Sequence, residues 1–422
     1  MTVRSLLGPV GAVINVAISC VGIIGAIGLS GCQSMPKEHA SKDALEFIIF
    51  NDVPSLEKTG LLLGGFSGLV FEGFSRISGE YDFTTHTDRG PTLDVRKESR
   101  EKNLRPFVDP EFVPRLISFS YDAKTHSVGH IDQVNLTNID TRPMTGLPNI
   151  FEVDETPIDQ LGHRIGFDKQ GINPKALAKD SDGTYWMGDG YRPSILHFTA
   201  KGRLLQRWIP KDAATGTGVP MLPHWYAQRR LNSGFEGIAV DGDQVFAFLQ
   251  SPLKNDSDVT RVLAVAKSTG QPLAEYAYEF ENSEEGRTFV DKIGDAVNIG
   301  PGRFLVVEQN NAVDERGFHR VYEINVSAAT NMLSRRGSEL SKSSLCSDET
   351  SVSKATCVKP VKKKLVADLV ALGLHGFDKL EGLTVLDSQT LALVNDNGFD
   401  VTKVGSPSAF FIVRLAAPLN LK

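Results

Sequence analysis

The chain has 422 residues, 51 acidic against 45 basic side chains, and a net charge of −6. It carries no block of Lys and Arg with interleaved aromatics, which argues against nucleic acid as a partner. Its four cysteines form no CxxC pair or Cys/His cluster, so no zinc spacing is present.

Arg4 opens a weakly basic start, and an apolar, Gly-rich run follows over residues 9–29. The run ends in Leu29-Ser30-Gly31-Cys32, small residues before a cleavage point. That ending resembles a bacterial lipobox, with Cys32 as the lipidated first residue of the mature chain. Residues 1–32 thus read as a lipoprotein signal. Gln33 in place of Asp points to anchoring at the outer membrane. The competing reading is a plain membrane anchor, since the run is nearly long enough to span a bilayer. Residues 33–43 are polar and read as a tether, and residues 44–422 read as the folded domain. Export leaves Cys346 and Cys357, eleven apart, as a pair expected to close a disulfide loop.

The domain reads as all-β. Apolar runs are short, β-branched or aromatic, and bounded by Gly, Pro, Asp and Asn. Strands are predicted in sets of four. The first set is 68–71, 81–87, 114–121 and 131–136, and the second is 175–178, 184–188, 194–198 and 204–208. The third is 237–240, 244–249, 261–266 and 272–278, and the fourth is 295–299, 303–307, 320–324 and 364–369. The fifth holds only 382–386, 390–394 and 410–414. The segment 45–50, ahead of the first set, is expected to supply its missing strand and close a ring, which removes exposed sheet edges. Asp182-Gly183, Asp241-Gly242 and Pro301-Gly302 provide the tight turns. This predicts a β-propeller of five four-stranded blades, with room for a sixth in the stretch 91–173. Two long insertions stand out: the charged loop 91–110, which follows Asp88-Arg89, and 327–360, which holds the cysteine pair. Each is a candidate lid or a surface decoration. The basic run at 359–364 reads as a solvated edge.

The blades open on a shared unit. Phe66-Ser67-Gly68-Leu69, Phe235-Glu236-Gly237-Ile238 and Leu380-Glu381-Gly382-Leu383 are plain; Pro174-Lys175-Ala176-Leu177 and Ile293-Gly294-Asp295-Ala296 are worn. Fourteen positions after the second residue stand Asp189, Gln250, Glu308 and Asn395, the last followed by Asp396. Asp88 follows Ser67 by twenty-one. Equivalent positions of a radial array converge on its axis, so these residues predict a polar ring. Asp88, Glu236, Glu308, Glu381 and Asp396 are the candidate ligands of a divalent cation, with calcium first because it takes several oxygen ligands. Carboxylates crowded together require such a cation, or a basic side chain, to stay ionised. Arg89 and Arg192, just after Asp88 and Asp189, are candidates for holding an anion through guanidinium forks. Tyr191 is an expected neighbour; His86, two residues before Asp88 on the same strand face, reads first as a packed strand histidine and second as a member of the site. The bland alternative makes Glu236 and Glu381 blade ties, Asp88-Arg89 a local ion pair, Asp189 and Asp396 turn residues and Glu308 a loop cap. Gly65-Phe66-Ser67-Gly68-Leu69 breaks the nucleophile-elbow pattern, so a covalent serine esterase is disfavoured.

The segments GFSGLVF (65–71), TDRGP (87–91), FEGIAV with LQSPL (235–240, 249–253), FLVVE (304–308) and LEGLTV with NDNG (380–385, 395–398) resemble the phytase-like family of exported bacterial proteins. The resemblance covers residues 60–415 and implies a propeller that hydrolyses phosphate or other esters. Lys175 departs from it, standing where the family opening carries Glu, and Gly294-Asp295 replaces an acidic pair. The expected activity is metal-assisted hydrolysis of a small anionic phosphate ester. Asp88, Glu236 and Glu381 would be the catalytic carboxylates, and Arg89 and Arg192 would bind the substrate. A lactonase or carboxylester hydrolase, and a non-catalytic surface binding module, are the rival readings.

Overall fold

The computed structural model describes residues 42–94, 103–213, 217–281, 290–314, 316–346, 357–401 and 405–421. The expected signal segment, Cys32 and all but the end of the tether lie outside the described residues, as do 95–102 of the charged loop.

Five antiparallel sheets form a five-bladed propeller. Blade one comprises Phe66–Phe74, Tyr81–Thr87, Arg115–Asp122 and Ser127–Asn135. Blade two comprises Pro174–Lys179, Tyr185–Asp189, Ser194–Phe198 and Leu204–Pro210, plus Val219–Leu222 added in parallel at its outer edge. Blade three comprises Phe235–Asp241, Gln244–Leu249, Val259–Ala266 and Pro272–Glu279. Blade four comprises Lys292–Gly300, Arg303–Gln309, His319–Asn325 and Lys362–Asp368. Blade five comprises Leu380–Asp387, Thr390–Asn395 and Ala409–Arg414, and Ala44–Ile49 pairs antiparallel with the last of these. The N-terminal strand therefore closes the ring, as its position ahead of blade one predicts. The described residues of 91–173 hold no sixth blade. They carry the outer half of blade one and a small parallel ribbon of Leu104–Pro106 with Thr156–Ile158.

Strand alternation explains why many inner blade strands are apolar on both sides, whereas the outer strands Ser127–Asn135 and Lys362–Asp368 are largely polar and exposed. In blade five, Ala392, Val394, Phe410 and Ile412 face blade one, beside Phe83 and Phe119. Leu391, Leu393, Phe411 and Val413 face blade four, beside Leu305 and Val321. Successive side chains of a strand point to opposite faces, and here both faces meet a neighbouring blade. The same holds around the ring. Trp186 and Trp208 pack between blades two and three, and Phe246 and Phe304, with ring centroids 4.6 Å apart, between blades three and four. At about 25 cal/mol per Å² of apolar surface removed from water, these interfaces supply most of what holds the ring together.

The insertion that carries the cysteines packs on the outer edge of blade three, away from the ring's axis. Cys346 and Cys357 are joined by a disulfide. Beside them, Met332, Leu340 and Val358 cover Val259 and Ala277. Lys363, from the run read as a solvated edge, is instead largely buried over the rings of Tyr278 and Tyr322.

Candidate active site

Pairing slips by a β-bulge at the opening of every innermost strand. The slips fall between Ser67 and Leu69, Pro174 and Ala176, Phe235 and Gly237, Ile293 and Ala296, and Leu380 and Gly382. A bulge leaves one residue out of the ladder and re-aims its side chain. The residues so released include Lys175, Glu236 and Glu381, and they turn toward the axis. The glycines that follow leave room for neighbouring strands. A Cβ on Gly382 would stand 2.8 Å from the backbone of Gly68, and one on Gly68, at φ +65°, would stand 2.7 Å from the Leu177 nitrogen.

At the axis the Lys175 ammonium, on a residue only 5% exposed, sits among carboxylates. Its Nζ lies 2.9 Å from Glu381 Oε2, 3.8 Å from Glu236 Oε1 and 3.9 Å from Asp396 Oδ2. Ser67 donates to the same Glu381 oxygen at 3.0 Å. Lys379 reaches Asp396 Oδ2 at 3.1 Å from a left-handed backbone (φ +51°), the conformation that Gly65 adopts at the same place in blade one. Such a conformation is uncommon outside glycine and is found where a site imposes it. Asp88 receives the Gly90 N–H at 2.9 Å. Neither oxygen of the fully buried Glu236 has a hydrogen bond of good geometry, although Gln250 stands beside it.

The charges shape one another. Burial, reinforced by Asp396, pushes the Asp88 carboxyl up to about 7 against the pull of Lys175, Arg89 and Lys379. Burial likewise raises Glu236 to about 7, with Lys175 opposing and Glu381 assisting. Burial also works against ionisation of Asp396, but Lys379 and Lys175 outweigh it and hold that carboxyl at about 2. Lys175 is itself opposed by burial, and four surrounding carboxyl groups raise it well above the ordinary lysine value. His86, buried beside the site, is lowered to about 4 by desolvation and stays neutral at physiological pH.

A cavity of about 770 Å³ opens over this cluster. Asp88, Lys175, Glu381 and Gln250 line it, together with Arg89, Arg230, Lys292, Lys379, Asp291 and Asp378. Arg89 is clamped by buried Glu155 and lies over the Tyr191 ring. Arg105, from the charged insertion, pairs with Glu155 at 2.8 Å and with Asp94 at 3.0 Å, so the described end of that loop forms part of the wall. Lys292 has an amide partner, Asn311, and Arg230 a backbone carbonyl, Asp256. Among the described residues neither meets a carboxylate within ion-pair distance. Burial lowers Lys292 from the usual lysine range.

Of the residues singled out by spacing, Asp88, Glu236, Glu381 and Asp396 converge, and Arg89 joins them on the cavity wall. Glu308 does not. It accepts from Tyr278 Oη at 2.6 Å and from the Glu281 N–H at 3.1 Å, and pairs with Lys363 between blades three and four. Asp189 is bound to Arg207 at 2.8 Å inside blade two. Arg192 is buried beside Arg207, Arg229, Asp154 and Asp189, and does not line the cavity. Desolvation and Arg207 lower it to about 9.

Register explains the division. Asp189, Glu308 and Asn395 pair with Pro174, Ile293 and Leu380, on the side of the strand that faces into the blades. Asp88, Gln250 and Asp396 stand one residue further on, where their N–H groups bond the carbonyls of Gly65, Gly234 and Lys379. One step along a strand reverses the side chain. In blade three Leu249, not Gln250, pairs with Phe235, so the fourteen-residue count mixed the two faces. The basic wall went unread, although Lys292 and Lys379 each immediately precede an opening unit, a signal present in the sequence.

A calcium ion is held by six to eight oxygens at about 2.3–2.6 Å. The place such an ion would take among Glu236, Glu381 and Asp396 is where the Lys175 ammonium lies. Among the described residues no group of three or more His, Cys, Asp or Glu is arranged to hold a metal. Nor is any described helix long and apolar enough to cross a membrane.

Known proteins place the chain. A secreted protein of unknown function from the fungus Arthroderma benhamiae is 29% identical over 258 residues, which is 49% of this chain and 48% of that protein, so the match spans about half of the relative's length. Among solved structures, the PQQ-bound aldose sugar dehydrogenase of Streptomyces coelicolor is 14% identical, covers 88% of this chain and 98% of its own, and has a TM-score of 0.32. Virginiamycin B lyase of Staphylococcus aureus is 12% identical, with 89% and 100% covered and a TM-score of 0.31. Both likenesses are too distant to carry an argument about chemistry. The phytase-like profile, described as esterase-like activity of phytase, matches residues 62–399, and with the five opening units and their axial cluster now in view, the chain belongs to that family.

Proposed function

We propose that this protein is an exported hydrolase of small anionic esters, phosphate esters first, with the cavity over Lys175 as its active site. The observation that carries the reading is Asp88: a carboxyl held at about 7 on the wall of a cavity rich in cations. A general base works best when its pKa lies near the working pH. In this reading the Asp88 carboxylate takes a proton from a water molecule. The water oxygen bonds to the phosphorus or carbonyl carbon, the ester bond breaks, and the leaving alkoxide takes a proton from solvent. Lys292, Arg230 and Lys379 face the anionic oxygens, which strengthen their contacts as charge builds. The sequence-based expectation assigned activation of the water to a calcium ion; the reading here gives that task to Asp88, because an ammonium lies at the cation position. Arg192 has no direct part in it.

The test is a screen of chromogenic phosphate esters, carboxyl esters and lactones, with Asp88→Asn as control. Activity should rise with pH through about 7 and fall by about 10²-fold or more in Asp88→Asn, the usual range for losing a general base. Turnover of lactones alone would move the substrate class to carboxyl esters. No turnover of any substrate, with ligand binding retained, would make the protein a binding module.

Export and anchoring to the outer membrane, on its periplasmic or cell-surface side, through a lipid on Cys32 are part of the proposal. Support comes from the Leu-Ser-Gly-Cys segment and the secreted fungal relative. Partition of the full chain into detergent, lost in Cys32→Ser, checks it.

A further inference from the structure

The opening units of blades two, three and five send Lys175, Glu236 and Glu381 to one point on the axis. Two of the three equivalent positions are acidic, and the third is a lysine. Its Nζ is hydrogen-bonded to Glu381 at 2.9 Å and stands under 4 Å from Glu236 and Asp396. Lys379 adds a second ammonium at Asp396. Two lysines therefore face four carboxyl groups, those of Asp88, Glu236, Glu381 and Asp396. A buried carboxylate cluster needs a compensating cation, and this chain supplies its own.

We propose that the Lys175 ammonium is a built-in cation, doing at the propeller axis what a bound divalent ion would otherwise do, and that the native protein holds no divalent metal there. An ammonium donates three hydrogen bonds from a single point charge. It satisfies one carboxylate directly and holds others within ion-pair range, while one side of Lys175 lines the cavity. The difference from a metal is chemical. An ammonium attracts an anionic oxygen but does not bind and acidify a water molecule as a coordinated metal does. The axis thus binds charge, and activation of water falls to a neighbouring carboxylate. This inference rests on the geometry of the axis and stands whichever ester, if any, the protein hydrolyses.

The experiment reads metal content and melting temperature, not turnover. The purified protein is incubated with calcium, magnesium or manganese, desalted and assayed for bound metal. Its melting is then followed with EDTA and with millimolar calcium. The expected result is substoichiometric metal and a melting temperature that neither addition moves. Lys175→Met should melt lower with no recovery in calcium, because it leaves the carboxylates uncompensated without adding a ligand. Lys175→Glu should melt lower still and regain stability in calcium as it binds one equivalent, because it completes an oxygen-ligand set across three blades. A stoichiometric ion in the native protein, with melting lowered by EDTA, overturns the proposal. So does a folded Lys175→Glu protein whose melting ignores calcium. If Lys175→Glu does not fold, the native protein's metal content and its response to EDTA decide.

Discussion

The same five innermost strands end in two different environments. At their opening ends lies the charged cavity of about 770 Å³, walled by Asp88, Lys175, Lys292, Lys379 and Glu381. Further along, the strands surround a smaller space of about 380 Å³ lined largely by apolar side chains such as Leu69, Leu177, Ile238, Ala296 and Val385. Backbone geometry is shared, and the switch from one to the other takes only a few residues. The bulge at each opening is the dividing line. Before it, side chains are released from the ladder and can carry charge to the axis; after it, alternation sends them into blade interfaces that are mostly apolar and admit a polar group only with a partner, as Thr384 accepts the Phe71 N–H at 3.2 Å. The comparison teaches that one part of each strand is free to vary chemically while the rest is bound to packing.

Substitutions at the two ends should therefore separate activity from stability. The largest effect expected is on turnover in Asp88→Asn, about 10²-fold or more with melting little changed; equal losses of melting and turnover would erase the distinction between the ends. At the apolar end, Leu177→Ala should cost about 2–5 kcal/mol of stability, the usual cost of such a core cavity, and leave turnover of the folded protein intact. Denaturant melts of the two variants make the comparison directly.

Glu381→Gln lies between these cases. It removes the carboxylate that Lys175 and Ser67 both use, so it should lower stability by up to about 3–5 kcal/mol through an uncompensated buried charge. Turnover should fall as well, and a variant with native melting would show that the cluster is not a unit.

The pH dependence sharpens the picture. Asp88 rises from an ordinary value of 3.8 to about 7 on folding, so between those values the folded state holds the proton more tightly. Its contribution to stability is fully present below about 4 and is lost as pH rises through about 7. Asp396, held at about 2, has the opposite sign: its contribution is present above about 4 and is lost as pH falls toward 2. Asp88→Asn should lessen the decline between pH 4 and 7 in a series of melts, the remainder coming from Glu236, which is raised in the same sense, and leave the acid limb in place. The smallest effect is expected for Lys292→Met. Loss of a charge-assisted contact of about 1.5–3 kcal/mol should raise KM by roughly 10- to 100-fold with kcat less affected. A change confined to kcat would assign Lys292 a different role.

Much of this architecture was legible from the chain alone. Each blade repeats one opening unit and one turn chemistry, so the five sets of strands and the return of Ala44–Ile49 to blade five follow from pattern. Asp88, Glu236, Glu381 and Asp396 were legible as a converging set for the same reason. Glu308 was misdirected by one residue of register, because a count along the chain is blind to whether a bulge or a shorter turn has reversed the face. Arg89 is the next residue after Asp88 and Arg192 stands three after Asp189, and one lines the cavity while the other is buried among arginines. Nearness in sequence to an acidic residue does not say which way a guanidinium turns.

The class of fold, the ring closure and the kind of residue delivered to the axis follow from periodicity and from turns that are local in the chain. Which charges meet is settled by the folded ring. Lys175 reads in the sequence as a lost carboxylate, and in the folded ring it is the cation among those that remain. The reason is physical: charge compensation depends on distances between residues more than 200 positions apart, such as Lys175 and Glu381, and only the closed ring brings them within 2.9 Å.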